Sequence, residues 1–322
     1  MNAVGGPQAW RPGASRWVIE ARARLLSDIR QFFASRKVLE VETPVLSRSG
    51  NSDPNIVNLA TDSLPHRYLR SSPEYFMKRM LASGSGDIYE LGRVFRANEK
   101  GRLHNPEFTL LEWYRNGVAY LDLASEVCDL VVSCGHGQFD GWPVEQKTYR
   151  QLFLDHTGLD PFSCDETDLS QLAAERGIQA VSMSQLEWLD LILSQVIEPA
   201  LPGETLTIVH DFMPEQAALS RIRPCDPPVA ERFEIYLGQM ELANGYQELT
   251  DAEEQLTRFE YERKTAVARG EEPFPLDHLL IEAIRHGLGD CSGVALGVDR
   301  LLMSLVKLDH IDAVLAFSDE RS

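Results

Sequence analysis

Two strand-like runs that flank a charged loop constrain the fold of this chain more than any other feature. Residues 87–95 and 107–115 are rich in apolar and aromatic side chains, and RANEKGRLHN connects them. Runs of this kind around a short polar connection predict an antiparallel hairpin. Long antiparallel-looking strands with helices appended, rather than a regular alternation of strands and helices, favour an α+β fold.

The rest of the chain carries similar signals. Apolar spacing predicts helices at 15–37, 73–82, 120–134, 168–176, 184–197, 251–270 and 277–286, and a helix that begins at 299. Short extended segments are expected at LEVETPVLS, TLTIVHD, SGVALGV and IDAVLAF, and ERFEIYLGQMELANGYQELTD is expected to form a hairpin followed by an Asn-Gly turn. We expect an N-terminal tail (1–14) and one domain (15–322) with a helical insertion at about 136–204.

The second strand of the first hairpin predicts a binding wall. Alternate side chains share one face of a strand, so Phe108, Glu112 and Tyr114 should point the same way. The hairpin would bring Arg96 close to them. A flat ring could stack on Phe108, a cation could pair with Glu112, and an anion with Arg96. The alternative is an ordinary hairpin with a solvated charged tip.

Three glutamates, Glu234, Glu241 and Glu248, recur at intervals of seven residues. If a turn is centred on Leu237 and Gly238, Glu234 and Glu241 lie directly opposite each other on neighbouring strands. Like charges in that position are destabilising unless a cation lies between them, and Mg²⁺ prefers carboxylate and phosphate oxygens. The alternative is a pair of carboxylates that point into water.

The segment GVALGVDRL, residues 293–301, combines small residues with a basic residue in the first turn of a helix. Small side chains at 293, 295 and 297 on one strand face would leave room for a ligand, or else for close packing of a helix. Arg300 opposes the helix dipole and therefore calls for a nearby anion.

Charge and cysteine usage exclude several classes of function. The 49 acidic and 31 basic residues give a formal charge of −18, which disfavours a nucleic-acid partner. Five scattered cysteines without a C-x-x-C pair support neither disulfides nor a thiolate metal site. No apolar stretch has membrane-spanning length, and the N-terminus lacks signal-peptide organisation, so we expect a cytoplasmic protein.

Together these segments resemble a known family. LEVETPVLS with Pro44, the stretch from Arg96 to HNPEF at 104–108, and GVALGVDR are similar to motifs 1, 2 and 3 of class II aminoacyl-tRNA synthetases, in the same order. SPEYFMKR, HNPEFTLLEWY and ELANGYQELTDAEEQ resemble the lysyl branch. The resemblance covers about residues 15–318 and implies the class II catalytic core, an antiparallel sheet flanked by helices.

Lysyl-tRNA synthetases carry a β-barrel anticodon-binding domain where only about fifteen residues precede the first predicted helix here. We therefore expect a stand-alone catalytic domain similar to the ligases that activate (R)-β-lysine and join it to a lysine of elongation factor P. Ala295, where synthetases have glycine, agrees with those ligases. The expected partners are elongation factor P and β-lysine or lysine, with no tRNA and no membrane. The motif 1 resemblance implies a homodimer.

The resemblance also implies residue roles. Arg96 and Arg300 are the catalytic residues and would hold the α- and γ-phosphates of ATP, with Phe108 stacked on adenine. Either Asn98 or Glu99 would contact the adenine edge. The full ATP site would comprise Arg96, Ala97, Asn98, Glu99, His104, Asn105, Phe108, Glu241, Leu242, Gly297 and Arg300.

Two further sites follow from the same resemblance. The amino-acid pocket would comprise Ser72, Pro73, Glu74, Glu112, Tyr114, Asn244 and Glu248. Mg²⁺ would bridge the phosphates from Glu234 and Glu241. The alternatives to a protein-modifying ligase are a stand-alone enzyme that charges a tRNA and a non-catalytic regulatory paralogue. A regulatory paralogue would be expected to have lost an arginine or a carboxylate of these sites, and none is lost.

Overall fold

The computed structural model describes residues 10–53, 56–62, 65–179, 183–270 and 275–322. Residues 1–9 of the predicted tail lie outside this range. No helix within it has both the length and the apolar character needed to cross a bilayer.

The α-helices agree with the predicted ones to within a few residues, with one addition, α4. They are α1 Arg16–Arg36, α2 Glu74–Ala82, α3 Tyr120–Cys134, α4 Tyr149–Thr157, α5 Glu166–Glu175, α6 Gln185–Ile192, α7 Ala252–Ala268, α8 His278–Gly287 and α9 Val298–Val306. A π-helical turn, Leu193–Ile197, continues α6. Asp251 caps α7 by accepting hydrogen bonds from the backbone N–H groups of Glu253 and Glu254.

The strands form two sheets. They are β1 Leu39–Glu40, β2 Leu46–Ser47, β3 Leu59–Ala60, β4 Tyr68–Leu69, β5 Ile88–Phe95, β6 Glu107–Asn116, β7 Val144–Thr148, β8 Leu206–Phe212, β9 Ile222–Arg223, β10 Val229–Leu237, β11 Met240–Gln247 and β12 Cys291–Gly297. The large sheet has the order β1-β5-β6-β12-β11-β10-β8-β7, with β9 beside β10, and a small sheet has the order β2-β4-β3. All pairs in the large sheet are antiparallel except β1 with β5 and β7 with β8, which confirms the α+β class.

Among the described residues, helices pack along one face of the large sheet from β5 to β8 and on the other face toward its two ends. On the first face, α1, α3 and α9 pack on a core that includes Trp113 and Leu296. On the second face, α2, α7 and α8 pack near Tyr114, while α4, α5 and α6 pack near Tyr236. In the part of the chain that the structure describes, the centre of the second face therefore lies between two groups of helices.

The segment 136–204 differs from the helical insertion that we expected. It contains β7, which adds a parallel edge strand to the large sheet through β8. The sequence of β7, VEQKT, is polar, so no apolar pattern indicated a strand. The assignment of this segment as an insertion in a single domain stays a prediction.

Two other predicted elements are wrong. Residues 311–317 do not form a strand, because Ile311, Val314 and Leu315 are buried at helix-like spacing and a 3₁₀ turn, Ile311–Ala313, brings them to the core. Asn244 and Gly245 do not form a turn but lie within β11. A Cβ at Gly245 would lie 2.4 Å from Phe233 Cζ, so close packing explains the glycine.

Candidate active site

The floor of the open face is formed by β12 and its two neighbours. Ala295 lies opposite Glu112 of β6 on one side and opposite Asn244 of β11 on the other. Glu112, Asn244 and Ala295 therefore share the face that the helices leave open. This agrees with the predicted wall along β6.

The small residues of β12 differ in the space that surrounds them. A Cβ at Gly293 would lie 2.3 Å from Tyr114 Cε1 and 2.4 Å from Glu248 Oε1, so the space above Gly293 is filled by the protein's own side chains. This contradicts the expectation of ligand space at that position. A Cβ at Gly297 would lie 3.6 Å from the nearest side-chain atom, Arg300 Cδ, so room remains beside Gly297.

A buried carboxylate, Glu112, accepts two hydrogen bonds from the pocket. Ser72 donates from Oγ to Glu112 Oε2 at 2.7 Å, and Tyr114 donates from its hydroxyl to Oε1 at 2.8 Å. Ser72 Oγ also accepts from the backbone N–H of Glu74 at 2.9 Å, immediately after Pro73, which caps α2. The serine thus ties the start of α2 to β6.

Two further carboxylates converge on one lysine that the sequence analysis missed. Lys78 Nζ lies 2.7 Å from Glu74 Oε1 and 2.5 Å from Glu248 Oε2, and its side chain is 1% exposed. The spacing of Glu74 and Lys78, four residues apart on a helix, was a sequence signal for this pair. The pocket therefore holds Glu74 and Glu248 on a single cation, and Glu112 lies close enough to feel the charge of both.

The pKa values of these carboxylates reflect their confinement. Burial, together with the nearby charge of Glu74, raises the pKa of Glu112 to about 8, although Ser72 and Tyr114 act against the shift. Burial also raises the pKa of Glu248 to about 7, against the influence of Lys78. Burial alone would lower the pKa of Lys78, but the charges of Glu248 and Glu74 raise it above its usual value. The pocket attracts additional positive charge.

Next to this pocket lies the predicted anion and ring site. The Arg96 guanidinium carbon is 5.2 Å from the centroid of the Phe108 ring, and Nη1 is 3.5 Å from Glu99 Oε1. Arg96 Nε donates to the backbone carbonyl of Ser71 at 3.4 Å. Because Ser71 and Ser72 are consecutive, Arg96 lies next to the pocket that contains Glu74, Glu112 and Glu248.

The second arginine, Arg300, is held by two groups. Its Nη1 donates to the backbone carbonyl of Glu241 at 2.8 Å and lies 3.2 Å from Glu241 Oε2. Its Nη2 is 2.6 Å from His104 Nε2. Burial and the charge of Arg300 lower the pKa of His104, so the imidazole stays neutral and its Nε2 accepts the hydrogen bond. Arg300 thus faces the loop that carries His104.

The loop between β5 and β6 is fixed by hydrogen bonds. Asn105 donates to the carbonyl of Glu107 at 2.7 Å and accepts from the backbone N–H of Asp319 at 3.0 Å. The backbone N–H of Ala97 donates to Val57 at 2.8 Å, and Asn98 has a left-handed φ of 63°. These contacts leave open whether Asn98 or Glu99 faces a bound base.

Glu234 and Glu241 are not directly opposite each other, as the sequence analysis expected. The turn residues are Gly238 and Gln239, and a β-bulge between Ile235 and Tyr236 shifts the register. Glu241 lies opposite Tyr236, while Glu234 lies opposite Asn244. Glu234 and Tyr236 are two residues apart on β10 and therefore point to the same face. Because Glu241 lies opposite Tyr236, both glutamates share that face. Burial raises the pKa of Glu234, and the charge of Glu241 adds to this shift.

The two glutamates fit a divalent cation unequally. Both oxygens of Glu234 already accept hydrogen bonds, from Arg232 at 2.5 Å and Tyr236 at 2.7 Å. The Glu241 side chain is 38% exposed and has one oxygen near Arg300. No cluster of three metal-binding side chains occurs in the described ranges. The pair suits Mg²⁺, which takes one or two carboxylates and draws its other ligands from water and phosphate.

Three supporting residues were not found from the sequence. Arg232 donates to Asn244 Oδ1 at 3.0 Å and so couples the floor of the site to Glu234. Arg22 of α1 forms a buried ion pair with Asp299, whose Oδ2 accepts from the backbone N–H of Thr109 at 2.7 Å. Asp299 therefore fixes the start of α9, and with it the position of Arg300. Leu242, an expected ATP contact, is buried in the opposite core.

Comparisons with known proteins agree with this geometry. Residues 9–321 match the family model of class II tRNA synthetases (D, K and N). A protein of Vibrio cholerae named elongation factor P–(R)-beta-lysine ligase is 42% identical over 97% of this chain and 98% of its own length. Proteins with the same name from Yersinia enterocolitica and Salmonella typhi are also 42% identical, over 96% and 97% of this chain and 97% and 98% of their own.

Proposed function

The chain belongs to the class II tRNA synthetases of the D, K and N group, and from this we propose that it is an ATP-dependent ligase that activates (R)-β-lysine or lysine and transfers it to a lysine side chain of elongation factor P. One observation carries the proposal. Two carboxylates, Glu74 and Glu248, pair with Lys78, and a third, Glu112, is bound by Ser72 beside the backbone that accepts from Arg96, so a substrate with two ammonium groups can bind with its carboxylate near that arginine.

The first step needs no nucleophilic side chain, because the substrate carboxylate is itself the nucleophile. Its oxygen attacks the α-phosphorus of ATP, a new P–O bond forms, and the bond to pyrophosphate breaks. Arg96 holds the α-phosphate and Arg300 the γ-phosphate, while Phe108 stacks on adenine. The fixed positive charges of Arg96 and Arg300 stabilise the phosphorane-like transition state.

The second step is an acyl transfer. The ε-amine of the acceptor lysine attacks the carbonyl carbon of the aminoacyl adenylate, a C–N bond forms, and AMP leaves as the C–O bond breaks. The amine loses one proton, and the product is a stable amide. Glu74, Glu112 and Glu248 hold the ammonium groups of the amino acid during both steps.

The remaining predicted residues complete the two sites in this proposal. Glu241, together with Glu234, would hold Mg²⁺, which neutralises phosphate charge when it is bound. The adenine edge is contacted by Asn98 or Glu99, near Ala97. His104, Asn105 and Gly297 line the phosphate side, Leu242 supports it from the opposite core, and Ser72, Pro73, Tyr114 and Asn244 line the amino-acid pocket.

The acceptor is a protein rather than a tRNA, and the acidity of the chain supports this. Counterion release from phosphates supplies much of the affinity for nucleic acids, and a formal charge of −18 opposes it. The same acceptor implies a cytoplasmic location, and recovery of the chain in a membrane fraction of lysed cells would contradict that location.

The decisive experiment is mass spectrometry of elongation factor P after incubation with the chain, ATP, and either (R)-β-lysine or lysine. We expect a mass increase of one aminoacyl group on a single lysine, with little charging of lysine tRNA under matched conditions. Efficient tRNA charging without modified factor would favour the stand-alone synthetase. No pyrophosphate exchange with either isomer would favour the regulatory paralogue.

The affinity for the amino acid should depend on pH. Below about pH 8 the Glu112 carboxyl is protonated in the free enzyme, because burial and Glu74 favour the neutral form. An ammonium group pairs with the ionised carboxylate, so binding of the amino acid releases the proton of Glu112. Glu248 releases a proton in the same way at a pH nearer 7. We expect the KM for the amino acid to fall up to about tenfold per pH unit between about pH 7 and 8, where Glu112 alone releases a proton, to fall more steeply below about pH 7, where Glu248 also does, and to level off above about pH 8.

The matched measurement is the KM for ATP over the same range, which should change little. A KM for the amino acid that is constant between about pH 6 and 8 would show that these carboxylates do not exchange a proton for the substrate.

We further propose that the chain is a homodimer. Large apolar side chains are exposed on α1 and on the segment that follows it, at Trp17, Ile19, Leu39, Val45 and Leu46. Large exposed apolar side chains on the elements that the motif 1 resemblance places at a dimer contact support this proposal. Sedimentation should give a dimer, and Trp17→Glu with Leu46→Glu should shift it toward monomer. A monomeric unsubstituted chain at micromolar concentration would refute the proposal.

A further inference from the structure

The buried lysine of the amino-acid pocket has no role in the chemistry described above. Among the described residues, Lys78 is the one cation that forms ion pairs with Glu74 and Glu248. Its side chain is 1% exposed, and both of its partners come from the set that binds the substrate. A buried lysine is costly unless it is paired, and Lys78 is paired twice.

We propose that Lys78 is a positioning residue that acts as a resident cation: it holds Glu74 and Glu248 at a fixed separation and leaves two carboxyl groups of the pocket available to pair with a substrate that has two ammonium groups. The inference deepens the proposed function and rests on it. Lys78 lies on α2 and contacts the carboxylates, not the reacting atoms.

The geometry explains why a lysine is needed at this position. Glu74 belongs to α2, whereas Glu248 follows β11 and its backbone N–H donates to Cys291 of β12. Without a cation, two carboxylates from different elements would repel each other across a dry pocket. Lys78 bridges the helix and the sheet, so each carboxylate has a defined position before the substrate arrives.

The charge count explains the choice of substrate. Glu74, Glu112 and Glu248 supply three carboxylates when ionised, and Lys78 balances one of them. Two remain, which matches the two ammonium groups of lysine or β-lysine. An amino acid with a single ammonium group can form an ion pair with only one of the two, and the other stays protonated, so such a substrate gains one buried ion pair fewer than lysine or β-lysine.

Steady-state exchange kinetics with two variants test the proposal. Lys78→Met keeps the length of the side chain without its charge and should raise the KM for the amino acid at least about tenfold, with the KM for ATP nearly unchanged. Lys78→Ala should be impaired similarly and should be partly rescued by added n-propylamine but not by n-propanol. Lys147→Met, which removes an exposed ion pair with Asp155, is the matched control and should behave like the unsubstituted chain.

The outcomes separate the two proposals. Absence of exchange in the unsubstituted chain rejects the proposed function itself. If that chain is active, an unchanged KM for the amino acid in folded Lys78→Met overturns the role of Lys78. An equal rise in both KM values without amine rescue also overturns it, because it indicates a purely structural side chain.

A measurement on the unsubstituted chain covers the case in which the variants do not fold. A buried, paired ammonium group exchanges its protons slowly, so the ¹⁵Nζ resonance of Lys78 should be visible by NMR while those of exposed lysines are broadened. We expect this signal to persist as a charged ammonium when the diamino acid binds. Loss of the charge or release of the group to solvent on binding would overturn the proposal.

Discussion

Replacing Arg300 with alanine should reduce kcat/KM for amino-acid-dependent exchange of pyrophosphate into ATP by about 10²–10³-fold, the usual effect of removing one charge-stabilising donor. Arg300 lies in the first turn of α9, and Asp299 fixes the start of this helix through Arg22 and Thr109. Its guanidinium contacts both Glu241 and His104, two residues that are expected to lie beside the bound phosphates. The KM for ATP should rise, whereas the KM for the amino acid should change little.

Two further variants define this result. Arg102→Ala removes a nearby exposed arginine that donates to the carbonyl of Asp309 at 3.3 Å, and it should leave exchange unchanged. Arg300→Lys keeps the charge but loses the second donor, so its exchange activity should lie between those of Arg300→Ala and Arg102→Ala. Normal exchange in folded Arg300→Ala would remove Arg300 from the site.

The first hairpin shows what the sequence determines. The strands β5 and β6 are long, alternate between core and site residues, and have strong apolar and aromatic content, so both their bounds and the common face of Phe108, Glu112 and Tyr114 could be predicted. The proximity of Arg96 to Phe108 followed from the hairpin alone. Local pattern and tertiary structure agree in this region.

The second hairpin shows where this reasoning fails. Its sequence fits two registers, and only a β-bulge, which no residue pattern specifies, decides which residues are opposite each other. Gly245 favours a turn by local preference, but tertiary packing against Phe233 determines its place in β11. The ion pair of Lys78 with Glu248 likewise joins residues 170 positions apart, so it is visible only in the folded chain.

Substituting Glu248 with glutamine should raise the KM for the amino acid about 100-fold while the KM for ATP stays within about twofold. Glu248 is 1% exposed, so its carboxylate cannot be replaced by water when an ammonium group binds. A neutral amide keeps the shape of the side chain but not its charge, and it also leaves Lys78 with a single carboxylate partner. The substitution therefore weakens both the substrate contact and the position of Glu74.

The size of this effect should depend on the number of ammonium groups in the ligand. In Glu248→Gln the pocket has one uncompensated carboxylate fewer, so a monoamino analogue such as 6-hydroxynorleucine should lose much less affinity than lysine. Glu254→Gln, on the exposed side of α7, is the matched control, because its carboxylate pairs with Arg258 outside the pocket. Equal rises in KM for lysine and ATP would show that Glu248 maintains the fold of the site rather than binding the substrate, and the assignment of the amino-acid pocket would then be wrong.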